Sequence, residues 1–366
     1  MAEQLTTYQC PNCNGPLKFD PKIQKLKCDN CGSTFTTDEI DKYFYEANKD
    51  AIHVDAEKVQ KEAAETLQWT QEEAEKLRAY TCPSCGAQLI TDANTGATSC
   101  PYCGNPTIVP AQFEGTLKPD YIIPFKLIKE DAIQKLKTFY NGKPLLPKTF
   151  IEENHISEIK GVYVPFWLYD GNAEAHIRAH ATTITSHDTH DEHITTTLHF
   201  RVERDGSVDY AMIPADASTK MPDDFMDSIE PYDYADLIPF QLSYLTGYLA
   251  DRYDVSSEED ATRVNTRIKN TTIQCISESI RPYATYIPER EDVEIYPGNV
   301  HYAFLPVWLL STQYNGKNYL FAMNGQTGKM IGDDLPTDIK KAVLIFIGIT
   351  VIGILLLYLI LFVAMA

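Results

Sequence analysis

Eight of the nine cysteines stand in four Cys-x-x-Cys pairs: Cys10 with Cys13, Cys28 with Cys31, Cys82 with Cys85, and Cys100 with Cys103. Within each half 14 residues separate the two pairs, and every cysteine of the first half recurs 72 positions later. The stretches CPNCNGPLKFDPKIQKLKCDNCG and CPSCGAQLITDANTGATSCPYCG therefore read as two copies of one small module. A Cys-x-x-Cys turn brings two thiolates to one ion, and two such turns joined by a short hairpin complete the closed tetrahedral site of a structural metal. The expectation is two zinc ribbons, each holding one structural Zn2+ through Cys10, Cys13, Cys28 and Cys31, and through Cys82, Cys85, Cys100 and Cys103. A thioredoxin-type motif is a single pair beside a βαβ pattern, and a disulfide framework belongs to an oxidising compartment. Iron–sulfur ligation uses the same side chains, and the regular hairpin spacing favours zinc over it. With all four positions taken by thiolate, such a site leaves no place for water or substrate, so its role is expected to be structural.

The second constraint lies at the other end. Residues 342–366 carry no charge, and as a helix of about 1.5 Å per residue they would outreach a hydrocarbon core of about 30 Å. The N-terminal MAEQLTTYQC lacks the basic start and apolar stretch of a signal peptide, and Lys340 and Lys341 flank the span on its N-terminal side. These features predict a tail anchor in the cell membrane, with residues 1 to about 339 in the cytoplasm.

Between the cysteine modules, residues 37–79 hold 12 acids and 6 bases. Ala51 to Tyr80 reads as an amphipathic helix with Ile52, Val59, Ala63, Leu67, Ala74 and Leu77 on one side, a spacer that would keep the ribbons apart. Strand-like runs follow in the long middle region. Pro165-Phe-Trp167-Leu and Pro306-Val-Trp308-Leu, 141 residues apart, suggest a duplicated β unit, although Pro followed by Trp also suits the start of any edge strand. Helices are expected over Asp131–Tyr140, Phe240–Tyr253 and Ser256–Ile280, the last opening on a capping box of Ser256 and Glu259. On it Val264, Ile268, Thr271 and Cys275 form the inward face, which makes Cys275 a core residue. Asn324–Lys329 reads as a turn and lacks the spacing of a phosphate-binding loop. The fold class is therefore α+β: ribbon 1 over 1–36, an acidic helical spacer over 37–80, ribbon 2 over 81–110, a cytoplasmic α+β domain over 111–336 and a transmembrane anchor over 342–366.

Charge and histidines bear on function. A formal charge of -19 disfavours nucleic acid, and ribbon 2 contains no Lys or Arg between Thr81 and Pro110. Lys18, Lys22, Lys25 and Lys27 give ribbon 1 a modest basic patch, read as a solvated hairpin face. His176, His180, His187, His190, His193 and His199 fall within 24 residues. They are read as an exposed polar hairpin, with a metal-dependent enzyme as the less favoured reading because no carboxylate and nucleophile constellation accompanies them. Asp205 to Ala261 holds 14 acids against Lys220 and Arg252, an acidic face or a docking surface for a basic partner.

The stretches YTCPSCGAQLITDANTGATSCPYCGNPTIVPAQFEGTLKPDYIIPF, IPADASTKMPDDFMDSIEPYDYADLIPF, YLTGYLADRYDV and AMNGQTGKMIGDDLP together resemble a family of bacterial membrane-anchored TFIIB-type zinc-ribbon proteins. A PriA-like helicase designation that this family sometimes carries finds no ATP-binding loop here. The resemblance implies a cytoplasm-facing membrane platform that works with PspA-like and SPFH-type proteins in envelope maintenance, and it transfers no catalytic residue. The expectation is thus a non-enzymatic scaffold that joins protein partners to the lipid bilayer. A membrane-tethered nucleic-acid-binding or transcription-associated protein is the alternative.

Overall fold

The computed structural model describes residues 10–13, 17–47, 69, 74, 77–92, 100–103, 109–111, 117–153, 158–188, 192–280 and 283–365. It begins with a three-stranded antiparallel sheet, β1 (Leu17–Asp20), β2 (Lys25–Cys28) and β3 (Thr34–Phe35), followed by helix α1 (Thr37–Ala47). Strands β4 (Leu77–Thr81), β5 (Gln88–Asp92) and β6 (Val109–Ala111) come from the second cysteine module. The middle region supplies β7 (Tyr121–Ile122), α2 (Lys129–Tyr140), α3 (Lys148–Glu153), β8 (Lys160–Asp188), β9 (His193–Asp216), α4 (Asp223–Ile229), β10 (Ile238–Pro239) and β11 (Leu249–Asp251). Helix α5 (Ser257–Glu278), β12 (Thr285–Tyr314), β13 (Lys317–Asn324), β14 (Met330–Gly332) and helix α6 (Ile339–Met365) complete the chain, which is mixed α+β.

One 11-stranded sheet organises everything after α1, in the order β10-β7-β12-β8-β11-β5-β4-β6, with β9 on β8, β13 on β12 and β14 on β13. Its centre is the antiparallel pair β8 and β12, whose register runs from Lys160 opposite Leu309 to Thr182 opposite Thr285. Residues 161–169 and 302–310 are buried without interruption, because alternate side chains enter different layers. Tyr163, Trp167, Tyr302, Phe304 and Trp308 point to one layer, where Ala132, Leu136 and Tyr140 of α2 and Val264 and Ile268 of α5 cover them. Val162, Val164, Phe166, Leu305 and Val307 point to the other, under Phe225, Met226 and Ile229 of α4. Burial of each such side chain contributes roughly 1.5–3 kcal/mol, which explains why near-continuous apolar runs fold as central strands.

The middle domain is built from a repeated βαββ unit. Trp167 donates from Nε1 to the Val255 carbonyl at 3.0 Å, and Trp308 donates to the Leu127 carbonyl at 3.2 Å. Val255 and Leu127 each stand one residue before a helix N-cap, Ser256 for α5 and Ile128 for α2. Upstream of each carbonyl a short strand pairs in parallel with a long one: Leu249 of β11 with Val162 of β8, and Tyr121 of β7 with Ala303 of β12. Ala217 N–H donates to the Pro165 carbonyl and Gly325 N–H to the Pro306 carbonyl, at 2.9 and 2.8 Å. The units β7-α2-β8-β9 and β11-α5-β12-β13 thus correspond contact by contact, with their short strands exchanged: β7 lies on β12 and β11 on β8.

Both cysteine modules are built into this domain. Strand β5 continues the large sheet through Ala250 opposite Ile90 and Asp251 opposite Leu89. Ribbon 1 docks through Phe19 N–H on the Thr246 carbonyl, the Phe19 ring 5.1 Å from Tyr244, and Gln24 donating to the Phe125 carbonyl at 2.9 Å. The spacer that was expected to hold the ribbons apart falls mainly outside the described residues, and its C-terminal end, Leu77–Tyr80, is strand rather than helix. The two modules meet the same domain.

The expected helix over Phe240–Tyr253 does not form. A 3-10 turn at Leu242–Leu245 gives way to β11, because Gly247 at φ +91 breaks the helical path. The capping box at Ser256 and Glu259 is present, but α5 turns Asp260, Val264, Ile268 and Thr272 inward, so Thr271 and Cys275 are exposed. Two arginines just beyond the acidic stretch pair with five of its 14 acids, Asp216, Asp223, Asp227, Glu230 and Asp260. Arg263 reaches Asp216 at 2.8 Å and Asp260 at 3.1 Å, and Arg267 holds Glu230 at 2.8 Å.

Candidate metal centres

The first centre assembles from two turns that flank the β1–β2 hairpin. Cys10 Sγ lies 3.5 Å from Cys31 Sγ and Cys13 Sγ 3.4 Å from Cys28 Sγ, with all four sulfurs within 4.8 Å of one another. In the second, Cys82 to Cys103 and Cys85 to Cys100 are each 3.6 Å, with the same overall limit. A disulfide requires about 2.05 Å, so these are four free thiols converging on a point. A tetrahedron of ligands at about 2.3 Å has edges of roughly 3.8 Å, close to what is seen. Both tetra-cysteine groups can hold a metal ion.

The turns explain the local sequence. Three of the four Cys-x-x-Cys pairs are followed directly by glycine, and the structure describes Gly32 in the first module and Gly86 in the second. Gly32 N–H donates to the Cys28 carbonyl at 2.9 Å and Gly86 N–H to the Cys82 carbonyl at 2.8 Å. The glycines take φ +74 and +73, and no atom lies within 4 Å of an added Cβ, so it is the left-handed backbone rather than space that demands glycine.

The thiols differ in their protonation. Cys31 is drawn down to about 6 by its hydrogen bonds with the Ser33 side chain and backbone. Burial pushes Cys82 up, but the Cys85 and Ser84 N–H groups outweigh it and bring it to about 7. Burial raises Cys85 and Cys100 above the ordinary thiol value. Four thiolates this close repel one another, and the positive charge of a bound cation offsets that repulsion and so favours the deprotonated ligands. Lys160, held below the usual ammonium range by burial, feels the opposing pull of Cys100 first among the nearby charges.

Behind the second centre, Tyr102 is buried against the carboxyl of Asp251, which accepts from Ser218 Oγ at 2.5 Å and from Arg252 N–H at 3.0 Å. Burial lifts Asp251 to about 7 despite these donors. Neither Asp251 nor Lys160 stands out in the sequence, because each gains meaning only from residues far along the chain.

The histidines do not converge. His176 pairs with Asp205 and His193 with Asp188, while His180 and His199 stack at 5.1 Å with ring nitrogens 3.3 Å apart. His190 lies outside the described residues. Among the described residues only the two cysteine groups bring three or more potential metal ligands together.

The chain is 34% identical to uncharacterized protein YdjG of Bacillus subtilis (strain 168) over 328 residues, 90% of this chain and 89% of the relative. It belongs to the YdjG family. No family model and no solved structure matches the chain.

The other candidate functional element is α6. Its Ile339–Tyr358 segment has a mean hydropathy of 2.4 and none of it is buried in the protein. Leu344, Phe346 and Tyr358 are each about 70% exposed, which water does not tolerate over such a length. The helix is long and apolar enough to cross a bilayer.

Proposed function

We propose that this YdjG-family chain is a non-enzymatic scaffold, anchored through α6, that recruits cytoplasmic protein partners to the inner face of the cell membrane. The carrying observation is the pair of four-thiol groups fastened to one domain that ends in an exposed apolar helix. Closed all-cysteine sites favour zinc in a structural role and leave no open coordination position for chemistry. Lys340 and Lys341 at the start of the span favour a cytoplasmic domain. The TFIIB-type ribbon assignment rests on module spacing and on the β1–β2 hairpin between the turns. The family resemblance makes envelope maintenance the first process, and PspA-like and SPFH-type proteins the first partners, to examine. The basic patch gives nucleic acid little purchase, since Lys18 is paired with Asp29 at 2.8 Å and Lys22 faces Asp131 at 3.9 Å.

The test is quantitative proteomics of membrane fractions from cells with and without the protein. A set of peripheral proteins should leave the membrane in its absence and return with the full chain, but not with a chain ending at Asp338. An unchanged membrane proteome, or full rescue by the shortened chain, overturns the proposal.

A further inference from the structure

We infer that the end of the domain from which α6 emerges is a lipid-facing surface that rests on anionic phospholipid headgroups, an inference that builds on the membrane reading of that helix. Three segments distant in sequence meet there. Asp338 N–H donates to the Leu145 carbonyl at 2.8 Å, tying the start of α6 to the connection between α2 and α3. Thr149 of α3 shares a hydroxyl hydrogen bond of 2.8 Å with Tyr314, and the Phe150 ring lies 5.3 Å from the Tyr314 ring, which brings in the β12–β13 turn.

The side chains gathered by these contacts are basic. Residues 137–150 hold Lys137, Lys143 and Lys148 and no acid, in a chain whose net charge is -19. Lys317 on the β12–β13 turn and Lys340 and Lys341 at the root of the helix join them, and Lys143, Lys148, Lys317, Lys340 and Lys341 are all exposed. Two of these ammonium groups are held in place by aromatic rings. Lys143 Nζ lies 3.6 Å from the centre of the Phe139 ring, and Lys317 Nζ 5.0 Å from that of Tyr319. Two of the nearby carboxylates are engaged with backbone: Asp333 accepts from Leu320 N–H at 2.7 Å and Asp338 from Lys341 N–H at 3.1 Å.

A lysine beside an anionic leaflet gains roughly fivefold in local binding, and several presented by one rigid surface act together. The occupant is the leaflet into which α6 inserts, because the tie between Asp338 and Leu145 leaves the surface no room to move far from it. The consequence for the whole molecule is an orientation. Strand β12 runs away from this base for 30 residues, at most about 100 Å at ~3.3 Å per residue, and carries the histidine-bearing β8–β9 end away from the bilayer.

The test reconstitutes the full chain in nanodiscs of phosphatidylcholine alone and of phosphatidylcholine with phosphatidylglycerol, and follows amide hydrogen exchange. Peptides covering 141–149 and 314–318 should exchange roughly fivefold more slowly with phosphatidylglycerol, and high salt should abolish the difference. In a Lys143→Glu, Lys148→Glu, Lys317→Glu variant the difference should vanish, with unchanged exchange across β8 and β12 showing that the fold is intact. If 342–358 is protected in both discs while the base exchanges identically, the inference is overturned and the membrane reading stands. If 342–358 is unprotected in both, the membrane reading fails and takes the inference with it. Should the triple variant lose the core protection of β8 and β12, Lys317→Glu alone carries the test and must at least halve the lipid-dependent difference.

Discussion

Stripping metal from the second centre should unfold far more than a small ribbon. Strand β5 is buried on both sides: Leu89 enters the layer that holds Val162 and Phe166, while Ile90 enters the layer of Tyr163 and Trp167. At roughly 1.5–3 kcal/mol for each fully buried aliphatic side chain, Leu89 and Ile90 together contribute about 3–6 kcal/mol. Tyr102 and the pairing of β5 with β11 add to this. A whole domain is stable by only about 5–15 kcal/mol, so loss of the metal that fixes these strands removes a large share of the total. The assay is a chelator titration of the full chain in detergent, following metal release with a metallochromic dye and unfolding by tryptophan fluorescence. Trp69, Trp167 and Trp308 are all buried outside the cysteine turns, so their emission reports on the domain. Metal release and the tryptophan change should coincide. Release of both ions with the tryptophan signal and thermal midpoint unmoved would refute the reasoning and restore the ribbons as separate beads.

Other perturbations read single features. Burial holds Asp251 at about 7 against an ordinary 3.8, so its proton is bound more tightly folded than unfolded. The stability this confers is complete below about pH 4 and is lost as pH rises through 7. Asp251→Asn should therefore gain on the parent protein between about pH 6 and about pH 8 in thermal midpoint, and an equal difference at both would contradict the assignment. Ser256→Ala removes the N-cap of α5 and should cost about 1 kcal/mol, seen as a drop of roughly 2–4 °C in midpoint. Gly32→Ala forces alanine to φ +74 and should cost about 1–2 kcal/mol while weakening metal retention at the first centre, measured by competition with a chelator. Cys275→Ala, at an exposed position, should move the midpoint by less than about 0.5 kcal/mol equivalent.

What could be read from the chain alone was local. Cysteine spacing names all eight converging thiols because both turns of each module are close in sequence, and the Ser256 and Glu259 pair announces its helix for the same reason. Cys275 was misplaced by the helical period: the inward row is Asp260, Val264, Ile268 and Thr272, one position off the row that passes through Thr271. In the Phe240–Tyr253 segment the apolar spacing imitates a helix, and only the left-handed Gly247 separates the two outcomes. The repeat showed itself as two Pro-x-Trp-Leu runs, but the exchange of β7 and β11 between units is a pairing across more than 80 residues and leaves no local trace. Docking of the ribbons on the domain, and the assembly of the basic base, depend on contacts of the same long range.

The two four-cysteine groups can each hold a metal ion, and the central proposal is that each holds one structural zinc within a single folded unit. Elemental analysis of the purified full chain, alongside the Cys10→Ser/Cys13→Ser variant, tests it most directly. The account predicts two zinc ions per chain in the parent and one in the variant, with no iron or acid-labile sulfide. Iron with labile sulfide, or a parent chain that purifies folded with no metal at all, would contradict it.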